Sequence, residues 1–138
     1  SGREMEVISL HLKAPIVRYD LWSPSCWSAH RENRERQKEQ LREVMNYVNT
    51  LPQNLPVIVG GDFNIPSHLD FYSVLKPRLR DSFAIAGQGT GNTITNNSPL
   101  FRFDQIWVSE ALTPLAVVTE VAANSDHRMV VCDLKLVQ

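Results

Sequence analysis

What the sequence lacks narrows its nature first. Two cysteines among 138 residues, Cys26 and Cys132, cannot build a disulfide framework, and without a CxxC pair they do not suit a zinc site. Two free thiols fit best, with a single bridge as the alternative for an exported protein. No apolar run approaches the ~18 residues that a membrane span requires. Nothing near Ser1 has the pattern of a signal peptide, and Ser1-Gly2-Arg3 reads as a cloning remnant. An excess of one charge is absent as well. The formal net charge is −1, which disfavours a generally basic nucleic-acid binder and leaves a local basic site open. Neither an internal repeat nor a low-complexity linker divides the chain.

What is present suits one domain, or a piece of one. The chain is 43% hydrophobic and 21% charged, too apolar for a disordered segment. Scaling with mass gives a folded surface of ~7,300 Å² against ~23,000 Å² unfolded, enough difference for a real core.

Hydrophobic periodicity orders the elements. Glu4 to Leu12 alternates loosely and reads as a strand. Lys13 to His30, with Pro15, Pro24, Trp22 and Trp27, reads as a long loop. Arg31 to Asn49 is the clearest helix, because Leu41, Val44, Met45 and Val48 fall at i, i+3, i+4 and i+7. Gln37 and Arg34 continue that stripe. Oppositely charged residues four apart, such as Glu32 and Arg36, mark the other side as a solvated face. Leu55 to Gly60 reads as a buried strand and Leu69 to Leu75 as a short helix. Gly87 to Pro99 is a Gly/Asn/Thr loop that shapes the approach to the next strand. Phe101 to Val108, Leu115 to Val121 and Met129 to Val137 read as three further strands. The order implies an α/β domain with a mixed sheet, its last strands antiparallel because their connections are too short for crossovers.

Polar residues stand at the ends of these strands. His11 closes the first. Asp62 and Asn64 follow the Val57-Ile58-Val59-Gly60-Gly61 run, Asp104 follows Arg102-Phe103, and Asp126-His127 precede the last strand. An unpaired carboxylate at a buried strand end costs several kcal/mol. Two such charges ~5 Å apart at an effective dielectric of ~20 repel by a further ~3 kcal/mol. A divalent cation or a protonated histidine relieves that repulsion, so the set suggests hard-metal phosphoryl chemistry. Each residue also has a plainer reading. Asp62 and Asp126 can cap turns, Asn64 can form an Asx-turn before Pro66, and Asp104 can pair with Arg102 or a lysine.

Gly61-Asp62-Phe63-Asn64-Ile65-Pro66, Phe103-Asp104-Gln105-Ile106 and Ser125-Asp126-His127, in this order, resemble the endonuclease/exonuclease/phosphatase superfamily of metal-dependent phosphoesterases. His11-Leu12, Arg34 with Gln37, and Leu79-Arg80-Asp81-Ser82-Phe83 are similar to further segments of it. The usual Arg-Ile-Asp-Tyr pattern reads Arg102-Phe103-Asp104-Gln105 here. The resemblance implies a DNase I-like fold, of which this chain is the C-terminal part over 1–138. That part is half of a four-layered α/β sandwich, a mixed, largely antiparallel sheet with helices on one face. It implies His127 as catalytic acid/base oriented by Asp104, and Asp62 acting on the attacking water. Asn64 would meet a phosphate oxygen and His11 the phosphate or leaving group. Asp126 with Asp62 would hold the metal, Mg²⁺ with Mn²⁺ as the alternative.

The first half of complete members supplies an asparagine and a metal-binding glutamate, and no glutamate here matches it. Two expectations follow: weak Mg²⁺ binding with little activity in this half, and an exposed apolar sheet face that pairs with a second copy or with the other half. The substrate is a phosphoester, and a nucleic acid is allowed but not indicated by charge. A non-catalytic phosphate-binding or protein-interaction module is the competing reading.

Weaker signals remain. Gly87-Gln88-Gly89-Thr90-Gly91 lacks the strand-to-helix context of a dinucleotide loop. His30 and His68 read as exposed loop histidines. Trp22 and Trp27 either stack on a base or sugar or cover apolar surface. Lys76, Arg78 and Arg80 form either a phosphate contact or a solvated edge.

Overall fold

A computed structural model describes residues 4–15, 20–67 and 70–137. Ser1 to Arg3, His68, and Leu69 at the start of the expected short helix lie outside the described residues. Strand β1 covers Glu6–His11, helix α1 Pro24–Thr50 and strand β2 Val57–Asp62. A 3₁₀ turn spans Asp70–Val74. Then come β3 (Arg80–Asp81), α2 (Ser82–Ala86), β4 (Asp104–Val108), β5 (Leu112–Glu120) and β6 (Met129–Leu136).

The α/β class and the mixed sheet are as the sequence implied. Four strands form one sheet in the order β1-β2-β4-β3. The β1–β2 pair is parallel, and the β2–β4 and β3–β4 pairs are antiparallel. The last two strands, however, stand apart as an antiparallel pair. With β2 on one side of β4 and β3 on the other, β4 has no free edge for β5. The two-residue β3 is too short to show a pattern in sequence. Strand β5 begins three residues before the expected Leu115. It includes Pro114, tolerated because the register shifts between Pro114 and Ala116.

Helix α1 also begins seven residues early. Ser23 is extended at the N-cap and Pro24 takes the first turn, where its missing N–H costs nothing. Thus Trp27 and His30 are helical, not in a loop. Cys26, Asn33, Gln37, Leu41, Met45 and Val48 form the buried stripe of α1. The last three pack with Val57, Val59, Tyr72 and Trp107 on one face of the sheet. Each fully buried aliphatic side chain contributes ~1.5–3 kcal/mol. Tyr72 stacks on Trp107 at 5.4 Å, and its hydroxyl joins Gln105 to the Ile65 carbonyl. Helix α2 starts on the Asp81 carboxylate, which accepts from the Phe83 amide at 3.0 Å. That carboxylate also holds Arg102 in a two-pronged ion pair (2.8 and 2.5 Å).

The opposite face of the sheet is open. Val7, Ser9, Ile58, Gly60 and Ile106, with Met129 and Val130 of β6, line a shallow cavity of about 360 Å³. Val7 is 64% exposed. The chain exposes 8445 Å², more than the ~7,300 Å² its mass implies. Ile58, Gly60 and Ile106 are half-buried, so the expected apolar face is bare only in part. Neither Cys26 nor Cys132 forms a disulfide among the described residues. Among the described residues, no helix is long and apolar enough to cross a membrane.

Candidate active site

Sheet register assembles the polar strand ends. His11 pairs with Asp62, and Asp62 pairs with Asp104, so one row across β1, β2 and β4 carries all three. Alternation puts this row on the open face, beside Gly60 and Ile106. His127 enters from the turn before β6. Its Nδ1 lies 2.7 Å from Asp104 Oδ2. Ligand atoms of Asp62, Asp104 and His127 lie within 4.8 Å of one another.

The electrostatics follow from that crowding. Burial works against charge on His127. The hydrogen bond and charge of Asp104, with Asp62 and Asp126 behind them, more than offset it and hold the pKa above its ordinary value. Asp62 is also raised, first by burial and then by the Asp104 charge. The Asn64 amide and the two histidines pull it back only in part.

Asn64 adopts φ 51°, a left-handed conformation that asparagine tolerates. Its backbone N–H donates to Asp62 Oδ1 at 2.8 Å, so Asp62 caps the turn after its strand as well as joining the cluster. The Asn64 side chain is buried, and its Nδ2 donates to the Leu12 carbonyl at 2.9 Å. Gln37 donates to the carbonyls of Lys13 (2.7 Å) and Asn64 (3.3 Å), tying α1 to the same loop. His11 is mostly exposed, with Nε2 3.6 Å from Asp62 Oδ2, outside hydrogen-bond distance. Asp126 is exposed and stands outside the three-residue cluster. Arg102 pairs with Asp81, leaving Asp104 to His127. Arg80 sits opposite Val108, at the far end of β4, so the Lys76-Arg78-Arg80 group is remote from the row.

Two positioning residues escape sequence reasoning. The Thr93 hydroxyl accepts from the amides of Phe103 and Asp104, both at 3.1 Å. The Asn96 side chain donates to the Ala122 and Ser125 carbonyls, and its N–H donates to the Asp126 carbonyl. Together they seat the His127 turn against β4. Both lie in the Gly/Asn/Thr loop, where one polar residue looks like another.

Comparison with known proteins identifies the family. The family model described as Endonuclease/Exonuclease/phosphatase family matches residues 3–127. No curated protein matches. Among solved structures, a conserved protein of unknown function from Enterococcus faecalis V583 superposes with a TM-score of 0.72 at 17% identity, over 95% of this chain and 50% of that one. An endonuclease/exonuclease/phosphatase from Bacteroides vulgatus gives 0.64 at 21%, over 75% and 45%. A mannosyl-6-phosphatase from Bacteroides thetaiotaomicron VPI-5482 gives 0.60 at 25%, over 74% and 46%. The chain spans about half the length of these structures. Since the family match runs through all six polar positions from His11 to His127, the chain belongs to the Endonuclease/Exonuclease/phosphatase family.

Proposed function

We propose that the chain carries the acid–base end of a phosphoester hydrolase that works with a divalent cation. The observation that carries this reading is the His127–Asp104 hydrogen bond beside Asp62, on one sheet row. Asp104 fixes the imidazole through Nδ1 and favours its charged form, leaving the other ring nitrogen for substrate. Asp62, next to Asp104 on the same row, accepts a proton from the attacking water. As the new P–O bond forms, the bond to the leaving oxygen breaks and His127 supplies that oxygen with a proton.

The donor set fits a hard cation. Asp62 and Asp104 face each other at one register position, and like charges there call for a counter-charge. Asp62, with Asp126 from the turn, would hold Mg²⁺, or Mn²⁺ in its place. When bound, that ion offsets charge on the phosphate oxygens. Asn64 is assigned to a phosphate oxygen through what remains of its amide, one hydrogen being spent on Leu12. His11 is assigned to the leaving-group side. The family's glutamate has no counterpart in these residues. We therefore assign the complete metal site to an assembly in which the open face is covered, by the family's other half or by a second copy of the chain.

The test screens phosphomonoesters and phosphodiesters with Mg²⁺, using the chain alone and then joined to a family first half. The reading expects weak turnover alone and at least ~10²-fold more when joined, a gain lost in His127→Ala as fits a general acid. Activity that survives His127→Ala, or none on any ester in the joined form, would instead favour a non-catalytic binding module. Sedimentation of the chain alone should reveal self-association, and a stable dilute monomer would remove the second copy as the covering partner.

A further inference from the structure

Helix α1 outruns the sheet it covers. Its 27 residues span about 40 Å, whereas the six residues of β2 span about 20 Å. Its C-terminal end leads directly to Val57, and Gln37 stands at Asn64, so α1 runs antiparallel to β2. Everything from Pro24 to Arg36 therefore extends past the end of the sheet. This is the end that carries His11, Asp62 and Asn64.

The stripe that buries Gln37, Leu41 and Met45 continues into this overhang through Asn33 and Cys26. Beside it stand Trp27, His30, Arg31 and Arg34, at i, i+3, i+4 and i+7. With no sheet beneath this side of the overhang, they join Leu21 to form a groove of about 390 Å³. Trp27 donates its indole N–H to the Leu21 carbonyl at 2.7 Å, which fixes the ring, yet the residue stays 56% exposed. The acidic neighbours are spent elsewhere, Glu32 on Arg36 and Glu35 on Lys38. Arg31 and Arg34 form no ion pair among the described residues. A fixed aromatic surface beside two uncompensated guanidinium groups is matched by a ring that carries an anion. Arg34 is one helical turn, ~5 Å along the axis, from Gln37 and hence from the Asn64 loop.

We propose that this groove is a second substrate subsite that takes a nucleoside phosphate, the base on Trp27 and the phosphate on Arg31 and Arg34. The proposal rests on the phosphoesterase reading above and narrows its substrate to nucleotide-bearing esters. A concave site of this size suits one nucleotide. A lipid surface would call for a convex apolar ridge, and the Trp27 N–H, already bonded within the chain, is not free to meet headgroups.

The test measures binding by equilibrium dialysis on the His127→Ala chain, so that no turnover intervenes. Adenosine 5′-monophosphate should bind at least fivefold more tightly than ribose 5-phosphate, which lacks the base, and than adenosine, which lacks the phosphate. Trp27→Ala and Arg34→Ala should each weaken it at least fivefold, with Trp27→Phe retaining most of the affinity. Trp27→Phe and Arg34→Gln keep the comparison valid if an alanine variant misfolds. A tetranucleotide that binds more tightly than the monophosphate identifies a strand as the source, and equal binding identifies a free nucleotide; both agree with the proposal. It is overturned if ribose 5-phosphate binds as well as the nucleotide, or if Arg34→Gln changes nothing. It is equally overturned if Trp27 instead governs co-sedimentation with phosphatidylserine vesicles. Binding lost with turnover intact removes the subsite alone. Turnover absent with binding intact removes the hydrolase reading and leaves the groove a nucleotide-binding site.

Discussion

Gly60 and Gly61 are neighbours in β2, and alanine should affect them to very different extents. Gly61 has φ +138°, and a Cβ placed there would lie 2.0 Å from the Leu10 carbonyl oxygen. That oxygen belongs to the adjoining parallel strand, where Leu10 pairs with Gly61. Relief needs a shift of more than 1 Å, since ordinary contact begins near 3.4 Å. The strained φ costs ~1–3 kcal/mol and overpacking a further ~1–3 kcal/mol. A loss of about 3 kcal/mol is therefore expected for Gly61→Ala. At Gly60 the same Cβ would sit 3.4 Å from the Gln105 carbonyl oxygen and 3.5 Å from Ile106, facing the open cavity. Gly60→Ala should stay within ~1 kcal/mol of the native chain, because the ~0.5–1 kcal/mol by which glycine in a strand is less favourable than alanine offsets the close contact. Urea unfolding reads both. With a slope of ~2 kcal/mol/M, the Gly61→Ala midpoint should fall by about 1.5 M and the Gly60→Ala midpoint by less than about 0.5 M. Equal midpoints would refute the argument that Gly61 is required by the approach of β1. The consequence reaches the site, because any shift of Leu10 moves His11, and Asp62 follows Gly61 directly.

Three further outcomes are expected. Thr93→Val leaves the Phe103 and Asp104 amides without their acceptor and should cost at least ~2 kcal/mol in urea unfolding, whereas Thr93→Ser should restore most of it. The folded pKa of His127 is raised, so its stabilisation is fully present below the unfolded value of ~6.5 and is lost as pH rises through the folded value. Accordingly, the stability gap between the native chain and Asp104→Asn should be about 1–3 kcal/mol at pH 5 and should shrink above neutrality. Asp62, raised chiefly by burial, destabilises the fold when ionised. Asp62→Asn should thus raise the metal-free midpoint at pH 7 by some part of the ~3 kcal/mol that two charges ~5 Å apart can exchange. Added Mg²⁺ should then narrow that gap by stabilising the native chain alone.

The legible parts of this molecule were those with local signatures. The α1 stripe from Leu41 to Val48, the Val57–Gly60 run and the polar strand ends all declare themselves through spacing. The start of α1 did not, since Pro24 is a breaker inside a helix and a good first residue at its beginning. Strand β3 has two residues and relies on β4 for its identity. The separation of β5 and β6 from the main sheet was hidden because it depends on which edge of β4 is already taken. At the site, the pairing of Asp104 with His127 and not with Arg102 turns on Asp81, a residue that looks like a simple helix cap. Thr93 and Asn96 position the His127 turn through backbone groups, which leave no trace in residue type.

Register explains why stability and chemistry meet at one surface. Rows alternate across the sheet: Leu10, Gly61 and Gln105 face α1, and His11, Asp62 and Asp104 face the open side. A slip of one residue would bury the charged row in the core and expose its apolar neighbours, a loss of several kcal/mol for each ion. The core therefore holds the row in place without touching it. The row shares its face with Val7, Ile58 and Ile106, which α1 cannot reach. Whatever covers those side chains must end against Asp62 and Asp104, exclude water there and lower the local dielectric. Covering would strengthen both the repulsion between the carboxylates and the pull on a cation. The same contact that completes the apolar packing would thus raise metal affinity. Cation binding should accordingly tighten with association, and by linkage the cation should promote association by the same factor.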